Sequence, residues 1–179
     1  MKKITFVLIT LLYLNSCQIG EADQTVEVDN KYSLVIPSFL NEVDNLNEEA
    51  SLQYQNLLRS FYIIAIDETK NEMQKALVQG NLLDVYANDI HGYSDLLLNA
   101  FEQSVAISEK SEIVDTLVNN MPARLVTIKG RVENVDVFYS LGFIEGKTRY
   151  YQILAWTVKG KEDQYKDEMN RIMYSLKEL

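Results

Sequence analysis

Apolar and polar residues alternate through residues 124–158, which is the pattern of β-strands with one buried face. Val126, Ile128 and Val132 share one face of a strand predicted over residues 124–132. Glu133-Asn134 is a candidate two-residue turn. The strand after that turn has these inward residues: Val135, Val137, Tyr139, Leu141 and Phe143. A turn at 145–147 precedes an apolar strand over 150–158, and the short connections predict an antiparallel meander.

Strand patterns also occur earlier in the chain. Residues 32–36 predict a short strand that Pro37 ends, and residues 50–56 and 112–118 alternate in the same way. Residues 61–66 are apolar on both faces and rich in β-branched side chains. They therefore predict a central strand that is covered on both sides.

Helical spacing replaces alternation in the middle and at the end of the chain. Thr69 and Glu72, three residues apart, form a capping box, and the helix that they start ends at Gly80. Asn81 is a second N-cap candidate. The longer helix that it would start has apolar residues at helical spacing: Leu83, Tyr86, Ile90, Tyr93, Leu97 and Phe101. The last helix has an apolar stripe at Tyr165, Met169, Ile172 and Leu176.

Together these elements predict an α+β fold. At least two strands need cover on both faces, and the chain supplies helices in its middle and at its end. The simplest arrangement is one antiparallel sheet with helices on both faces, an α/β/α sandwich. The length fits a single domain over residues 32–179.

The order of elements is similar to that of the PsbP-like fold. The likeness rests on the opening strand that ends in proline (residues 32–37), the strand meander, and an aromatic last strand. That strand leads through Thr157 into a helix that closes on Tyr174-Ser175-Leu176-Lys177. Oxygen-evolving-complex proteins, a Ran-binding import factor and many bacterial lipoproteins share this fold. The resemblance implies an α/β/α sandwich that serves as a binding or assembly module, usually without catalysis.

The first segment of the chain has a different pattern. A basic start precedes an uncharged, mostly apolar run over residues 4–14. The run is too short to span a bilayer and is typical of a secretory signal peptide. The four residues Leu14, Asn15, Ser16 and Cys17 resemble the lipobox of bacterial lipoproteins. This resemblance implies cleavage after Ser16 and lipid on the sulfur of Cys17.

Cysteine usage agrees with that resemblance. Cys17 is the only cysteine in 179 residues, so the chain can form no internal disulfide. Ordinary secretion with an incidental cysteine is the alternative. We expect a signal peptide over 1–16, a lipidated Cys17 and a flexible acidic tether over 17–31. Glu21 and Asp23 resemble the acidic positions after the cysteine in lipoproteins of the Bacteroidetes.

Charge narrows the choice of partners. The formal net charge is −9, and the loss of Lys2 and Lys3 with the signal peptide makes it −11. Nucleic-acid binding needs lysine and arginine against the phosphates, so we expect no nucleic-acid partner. The acidity mainly keeps the domain in solution.

Few residues are candidates for catalysis. His91 is the only histidine, and an ordinary residue in the middle of a helix is the favoured interpretation over a catalytic base. Asp67 and Glu68 are adjacent carboxylates, but neighbouring residues of a strand point to opposite faces. We therefore expect no catalytic residues and no cofactor.

A metal site is not favoured either. One histidine and one cysteine that is committed elsewhere exclude the usual zinc ligand sets. Oxygen ligands for calcium would have to come from an acidic stretch that contains Glu42, Asp44, Asn45, Asn47, Glu48 and Glu49. This stretch lacks the glycine and the spacing of an EF-hand loop, so a solvated loop is favoured.

Aromatic residues are the remaining candidates for binding. Tyr139, Tyr150, Tyr151 and Trp156 lie on neighbouring predicted strands. They would form a platform for a glycan or a peptide, although aromatics at strand spacing more often belong to the core.

The sequence as a whole predicts a cell-envelope lipoprotein that acts as a non-enzymatic binding or assembly module. Its expected location is the bacterial outer membrane or another periplasm-facing membrane surface. Its expected partners are the lipid of that membrane and another envelope protein. A glycan-binding accessory lipoprotein is the second hypothesis, and a hydrolase is the third.

Overall fold

Two antiparallel sheets and three helices make up residues 22–179, the part of the chain that the structure, a computed structural model, describes. The predicted signal peptide over 1–16, its lipobox residues and Cys17 lie outside the described residues. Within residues 22–179, no helix combines the length and the apolar content needed to cross a bilayer.

The elements are numbered in chain order. The strands are β1 (Asp23–Val28), β2 (Tyr32–Pro37), β3 (Asn41–Glu42), β4 (Leu52–Asn56), β5 (Phe61–Thr69), β6 (Ala106–Lys110), β7 (Val114–Val118), β8 (Met121–Val132), β9 (Val135–Glu145), β10 (Arg149–Val158) and β11 (Lys177–Glu178). The helices are α1 (Lys70–Gln79), α2 (Ile90–Ser104) and α3 (Glu162–Ser175), with a short 3-10 turn at Lys159–Lys161.

The larger sheet has eight strands. Seven are hydrogen-bonded in the order β3-β4-β5-β10-β9-β8-β6, and β7 pairs with the first half of β8. The predicted meander of the last three long strands, β8-β9-β10, is confirmed, as is the central, doubly covered position of β5. Glu133 and Asn134 form the predicted turn, and both have positive φ angles, as a tight hairpin turn requires.

A second, three-stranded sheet corrects the prediction of a single sheet. It has the order β1-β2-β11, so the predicted opening strand does not join the strands that follow it. The tether predicted over 17–31 is wrong at β1, which pairs with β2 along its whole length. Only Val26 and Val28 are apolar in this strand, so its stability comes from backbone pairing that a hydropathy pattern does not show.

Helices lie on both faces of the larger sheet. On one face, α3 and the small sheet enclose a core that includes Phe61, Tyr151 and Met169. On the other face, α1 and α2 cover a second core that includes Leu77 and Tyr93. The strands in the centre of the sheet are therefore buried on both faces, which explains their continuous apolar runs.

Helix α1 begins and ends where the sequence predicts. Thr69 accepts a hydrogen bond from the backbone of Glu72, and the Glu72 carboxylate accepts one from the Thr69 backbone, which confirms the capping box. Gly80 is the C-cap. Asn81 has a φ of 53° and closes the helix end, so it does not cap a second helix.

The second helix is shorter than predicted. It starts at Ile90, because the Asp89 side chain accepts hydrogen bonds from the backbone of His91 and Gly92. Residues 81–89 are turns, and Leu83 is largely exposed there. His91 consequently lies in the first turn of α2, exposed to solvent, and the expected position in the middle of a helix is wrong.

Candidate functional site

The predicted aromatic platform is not a single surface. Tyr150 and Tyr151 are each 1% exposed and, as neighbours on a strand, point to opposite faces of the sheet. Tyr150 stacks on Tyr93 under α2, with ring centroids 4.6 Å apart, and burial raises its pKa to about 12. Tyr151 packs edge-on against Tyr32 in the opposite core. Both residues are core residues, so the prediction is wrong for them.

The other two members of the platform do lie together. Trp156 on β10 faces Tyr62 on β5 and Tyr139 on β9 in directly opposed register positions. The rings of Tyr62 and Trp156 stack at 5.3 Å and 9°, and Tyr139 lies 6.4 Å from Trp156. We call these three residues the aromatic row. They line a shallow depression of about 300 Å³ together with Val135 and Val137.

The aromatic row lies near one end of the larger sheet. The β4–β5 turn, the β8–β9 turn and the C-terminal end of β10 all meet there, and we call it the hairpin end. Leu57 and Leu58 form part of the β4–β5 turn and are strongly exposed. The hairpin end thus carries two exposed leucines with the aromatic row behind them, next to charged residues such as Glu133 of the β8–β9 turn.

The opposite end of the sheet carries a cavity between three segments of the chain. It is an open cleft of about 660 Å³, and we call this end the cleft end. The turn at 119–122, the turn at 145–147 and β11 line the cleft. Lys147 and Lys177 are exposed at its edge, and Met121 and Pro122 add apolar surface to its lining.

The wall of the cleft is built around the Glu178 carboxylate. It accepts hydrogen bonds from the backbone N–H of Lys147 at 3.1 Å and from the hydroxyl of Tyr151 at 3.1 Å. A Cβ at Gly146 would collide with this carboxylate and with the Tyr151 ring, so the turn requires glycine. The short strand β11 therefore joins the small sheet to the β9–β10 turn.

Asp67 is buried beneath the cleft end and is paired with two cations. Its side chain is 3% exposed, and its Oδ2 lies 2.6 Å from Arg149 and 3.5 Å from Lys31. Next to this group, Lys70 of α1 pairs with Glu145 at 2.6 Å. These pairs tie the ends of β5, β9 and β10 together, which identifies a structural role for Asp67.

Glu68 points to the other face of the sheet. Burial raises the pKa of Glu68, and the nearby Tyr93 hydroxyl offsets part of that rise. Within residues 22–179 that hydroxyl makes no hydrogen bond of ordinary geometry, and burial raises its pKa as well. The two adjacent carboxylates therefore have separate surroundings and do not form an acid–base pair.

His91 has structural partners through its backbone. Its N–H donates to Asp89, and its carbonyl accepts from Arg124 at 3.3 Å. Arg124 also binds the carboxylates of Asp95 and Asp115. These contacts fasten the first turn of α2 to β8 and leave the exposed imidazole at the surface.

The acidic stretch predicted as a solvated loop is ordered by one side chain. The Gln53 Oε1 atom accepts hydrogen bonds from the backbone of Leu46 and Asn47 at 2.8 and 2.9 Å. Asn47 in turn accepts from the backbone of Glu49. Among residues 22–179, no group of three or more histidine, cysteine or carboxylate side chains is placed to hold a metal ion.

Sequence reasoning missed both the exposed leucines and the cleft. Leu57 and Leu58 directly follow Asn56 and precede Arg59, so two large apolar residues occupy a turn where polar residues are usual. That departure was a usable signal. The cleft, in contrast, joins residues 119–122, 145–147 and 177–178, and no local pattern connects them.

Comparison with known proteins identifies the fold. The solution structure of cyanobacterial PsbP (CyanoP) from Synechocystis sp. PCC 6803 is 13% identical, matches 93% of this chain and 99% of that one, and gives a TM-score of 0.60. The crystal structure of LpqN, involved in cell envelope biogenesis of Mycobacterium tuberculosis, is 9% identical and matches 88% of this chain and 90% of that one, with a TM-score of 0.56.

No protein-family model matches the chain, and no curated protein sequence matches it. At the low identities of the two solved structures, the likeness concerns the fold alone. The resemblance to the PsbP-like fold that the order of elements indicated is confirmed at that level.

Proposed function

We propose that this protein is a lipid-anchored, non-enzymatic module of the bacterial cell envelope that binds a partner protein in the cleft. The observation that carries this proposal is the place where the chain enters the fold. β1 begins at Asp23, which lines a pocket together with Arg59 of the β4–β5 turn, so the chain enters at the hairpin end. An anchor on Cys17, six residues earlier, would attach the chain near the end of the sheet opposite the cleft and leave the cleft free for a partner.

The chemistry of the cleft suits a protein partner. Its edge offers the ammonium groups of Lys147 and Lys177 and the side-chain amide of Asn120. The Asn119 side chain is already engaged, because it donates to the Leu176 carbonyl at 2.7 Å. An open cleft that combines apolar surface with charged and amide side chains at its rim resembles a protein interface more than an enclosed pocket for a small apolar ligand.

The positions of the candidate catalytic groups support the proposal of a non-enzymatic role. His91 is exposed at the start of α2, whereas Asp67 is buried in its ion pair with Arg149. The Glu178 carboxylate is occupied by two hydrogen-bond donors of the chain itself. The envelope setting draws further support from LpqN, which has a similar fold and is involved in cell envelope biogenesis.

Site-specific photo-crosslinking in intact cells tests the proposal. A photoreactive amino acid replaces Asn120 at the cleft in the full-length protein, and Lys75, exposed on α1, is the matched control position. We expect one discrete adduct from position 120 and none from position 75. Equal adducts from both positions, or none from either, would contradict a partner at the cleft.

A Cys17→Ser variant tests the anchor in the same cells. We expect the natural protein to partition with membranes and to carry added lipid mass on its N-terminal peptide. The variant should lose both properties, because only one cysteine is available for lipidation. Retention of lipid by the variant would refute the lipidation of Cys17.

A further inference from the structure

The tip of the β4–β5 hairpin presents two adjacent leucines to solvent. The exposed fraction is 67% for Leu57 and 95% for Leu58. Single exposed apolar residues are common on soluble domains, but a pair at the outermost point of a hairpin forms a small apolar protrusion. A protrusion of this kind can insert into a lipid bilayer or into an apolar pocket of another protein.

The tip is held in this outward position by hydrogen bonds. The Asn56 side chain accepts from the Arg59 backbone at 3.0 Å, and the Ser60 backbone donates to the Leu57 carbonyl at 3.1 Å. Lys161 donates to the carbonyl of Arg59 at 2.9 Å. The turn is thus fixed from both sides, and the leucines do not fold back onto the core.

The residues around the tip are those that favour a membrane–water interface. Tyr62 and Trp156 stack behind it, and both are partly exposed. Arg59 lies over the ring of Phe39 at 4.2 Å. Tryptophan and tyrosine concentrate at the level of lipid headgroups, and long cationic side chains reach from apolar surfaces to the phosphates.

The strand β1 begins close to the tip of the β4–β5 hairpin. Asp23, the first residue of β1, is paired with both terminal nitrogens of Arg171. Asp23, Arg171 and Arg59 line one pocket, so β1 begins next to the leucine hairpin. Cys17 lies six residues before Asp23, a stretch that spans at most about 20 Å when fully extended.

We propose that Leu57 and Leu58 insert into the bilayer that carries the anchor, so that the hairpin end of the domain contacts the membrane surface. This inference rests on the proposed lipid anchor at Cys17, which keeps the hairpin within reach of the surface. Arg59 and Lys161 then face the anionic phosphates at this end, where Arg171 is paired with Asp23 and Glu168. The cleft is held at the far side, open to a partner.

Depth measurement on the anchored protein tests this orientation. Because the only natural cysteine is blocked by lipid, a nitroxide can be attached selectively to Leu58→Cys, with Lys147→Cys at the cleft end as the matched control. Both full-length proteins are purified from membranes and placed in vesicles of phosphatidylethanolamine and phosphatidylglycerol. We expect the label at position 58 to be shielded from a water-soluble relaxation agent and exposed to oxygen. The label at position 147 should be accessible to the water-soluble relaxation agent and less exposed to oxygen than the label at position 58.

Trp156, the only tryptophan of the chain, gives an independent reading. Lipids brominated near the headgroup should quench its fluorescence in the natural protein, and a Leu57→Ser/Leu58→Ser variant should lose that quenching. Leu117→Ser, which changes an exposed leucine of β7, should keep it.

The outcomes separate this inference from the proposed function. If the protein floats with the vesicles and both labels remain equally accessible to water, the orientation is refuted while the anchor stands. If the protein does not float and Cys17 is unmodified, the anchor fails and the inference fails with it. If position 58 is shielded in cells but not in vesicles that contain only lipid and this protein, the tip contacts a protein partner and the proposal is overturned.

If a soluble glycan relieves the quenching of Trp156, the aromatic row binds a glycan instead of facing the bilayer, and the proposal is likewise overturned.

Discussion

The two ends of the larger sheet are built on different principles. At the hairpin end, Phe61 is fully buried and packs edge-on against Tyr165 at 5.0 Å, while Leu57 and Leu58 project into solvent. At the cleft end, Asp67 is buried between cations and the Glu178 carboxylate is enclosed by donors. Apolar packing therefore surrounds Phe61 at one end, whereas ion pairs and hydrogen bonds surround the buried carboxylates at the other.

This difference shows how one small sheet can face two environments. An apolar, rigid tip is suited to a lipid or apolar surface, because its burial needs no hydrogen-bond partner. The cleft can stay open to water, because the charged and amide side chains at its rim are hydrated there. Three substitutions test whether the two ends differ in this way.

The largest effect is expected at the hairpin end from Phe61→Ala. Removal of this buried ring leaves a cavity beside Phe39 and Tyr165 and should lower the free energy of unfolding by about 3–5 kcal/mol. Leu58→Ala in the same hairpin is the control and should change it by less than about 0.5 kcal/mol. Urea unfolding measures both, and similar losses from the two variants would mean that the tip is itself packed in solution.

A smaller loss is expected at the cleft end from Arg149→Met. The change leaves the buried Asp67 carboxylate with Lys31 alone, at 3.5 Å. The cost should be about 2 kcal/mol, below the roughly 3–5 kcal/mol of a fully buried pair, because one cation remains. Arg131→Met, which breaks an exposed pair with Asp136, is the control and should have little effect in the same urea titration. Equal stability of the two variants would contradict the role given to Asp67.

The smallest effect is expected from Glu68→Gln, and it depends on pH. Burial raises the pKa of Glu68 above its ordinary value, so the folded state binds this proton more tightly than the unfolded state. The natural protein should therefore lose stability as the pH rises from the ordinary value through the raised one. The variant should gain under about 1 kcal/mol at pH 7, since solvent screens a half-buried carboxylate.

The same variant should show no gain at a pH below the ordinary glutamate value, where the carboxyl is protonated in both states. Thermal unfolding at the two pH values makes the comparison. A gain that is equal at both would indicate an effect of side-chain packing and not of proton binding.

Local signals predicted much of the fold. The capping box at Thr69 and Glu72, the end of α1 at Gly80 and the β8-β9-β10 meander all follow from residues close together in the chain. The predicted start of the second helix was wrong because a local side-chain contact set a different start. Asp89 starts α2 nine residues after Gly80, although apolar residues at helical spacing suggested one continuous helix from Asn81.

The candidate sites were less predictable. A sequence shows that Tyr150 and Tyr151 are neighbours, but only the packing of α2 on one face and β2 on the other shows that both are buried. Tyr62 joined the aromatic row through its register with Trp156, which lies 94 positions later in the chain. Strand pairing at that separation depends on how the whole sheet closes.

The sequence alone determined the kinds of element, the α+β class with its antiparallel meander, and the acidic charge, because these depend on residues that are near one another or on simple composition. Tertiary structure decided that there are two sheets, that β1 belongs to the domain, and that the chain enters beside Leu57 and Leu58. It also assembled the cleft from three distant segments. These features depend on long-range backbone pairing and packing, which leave no periodic trace in the chain.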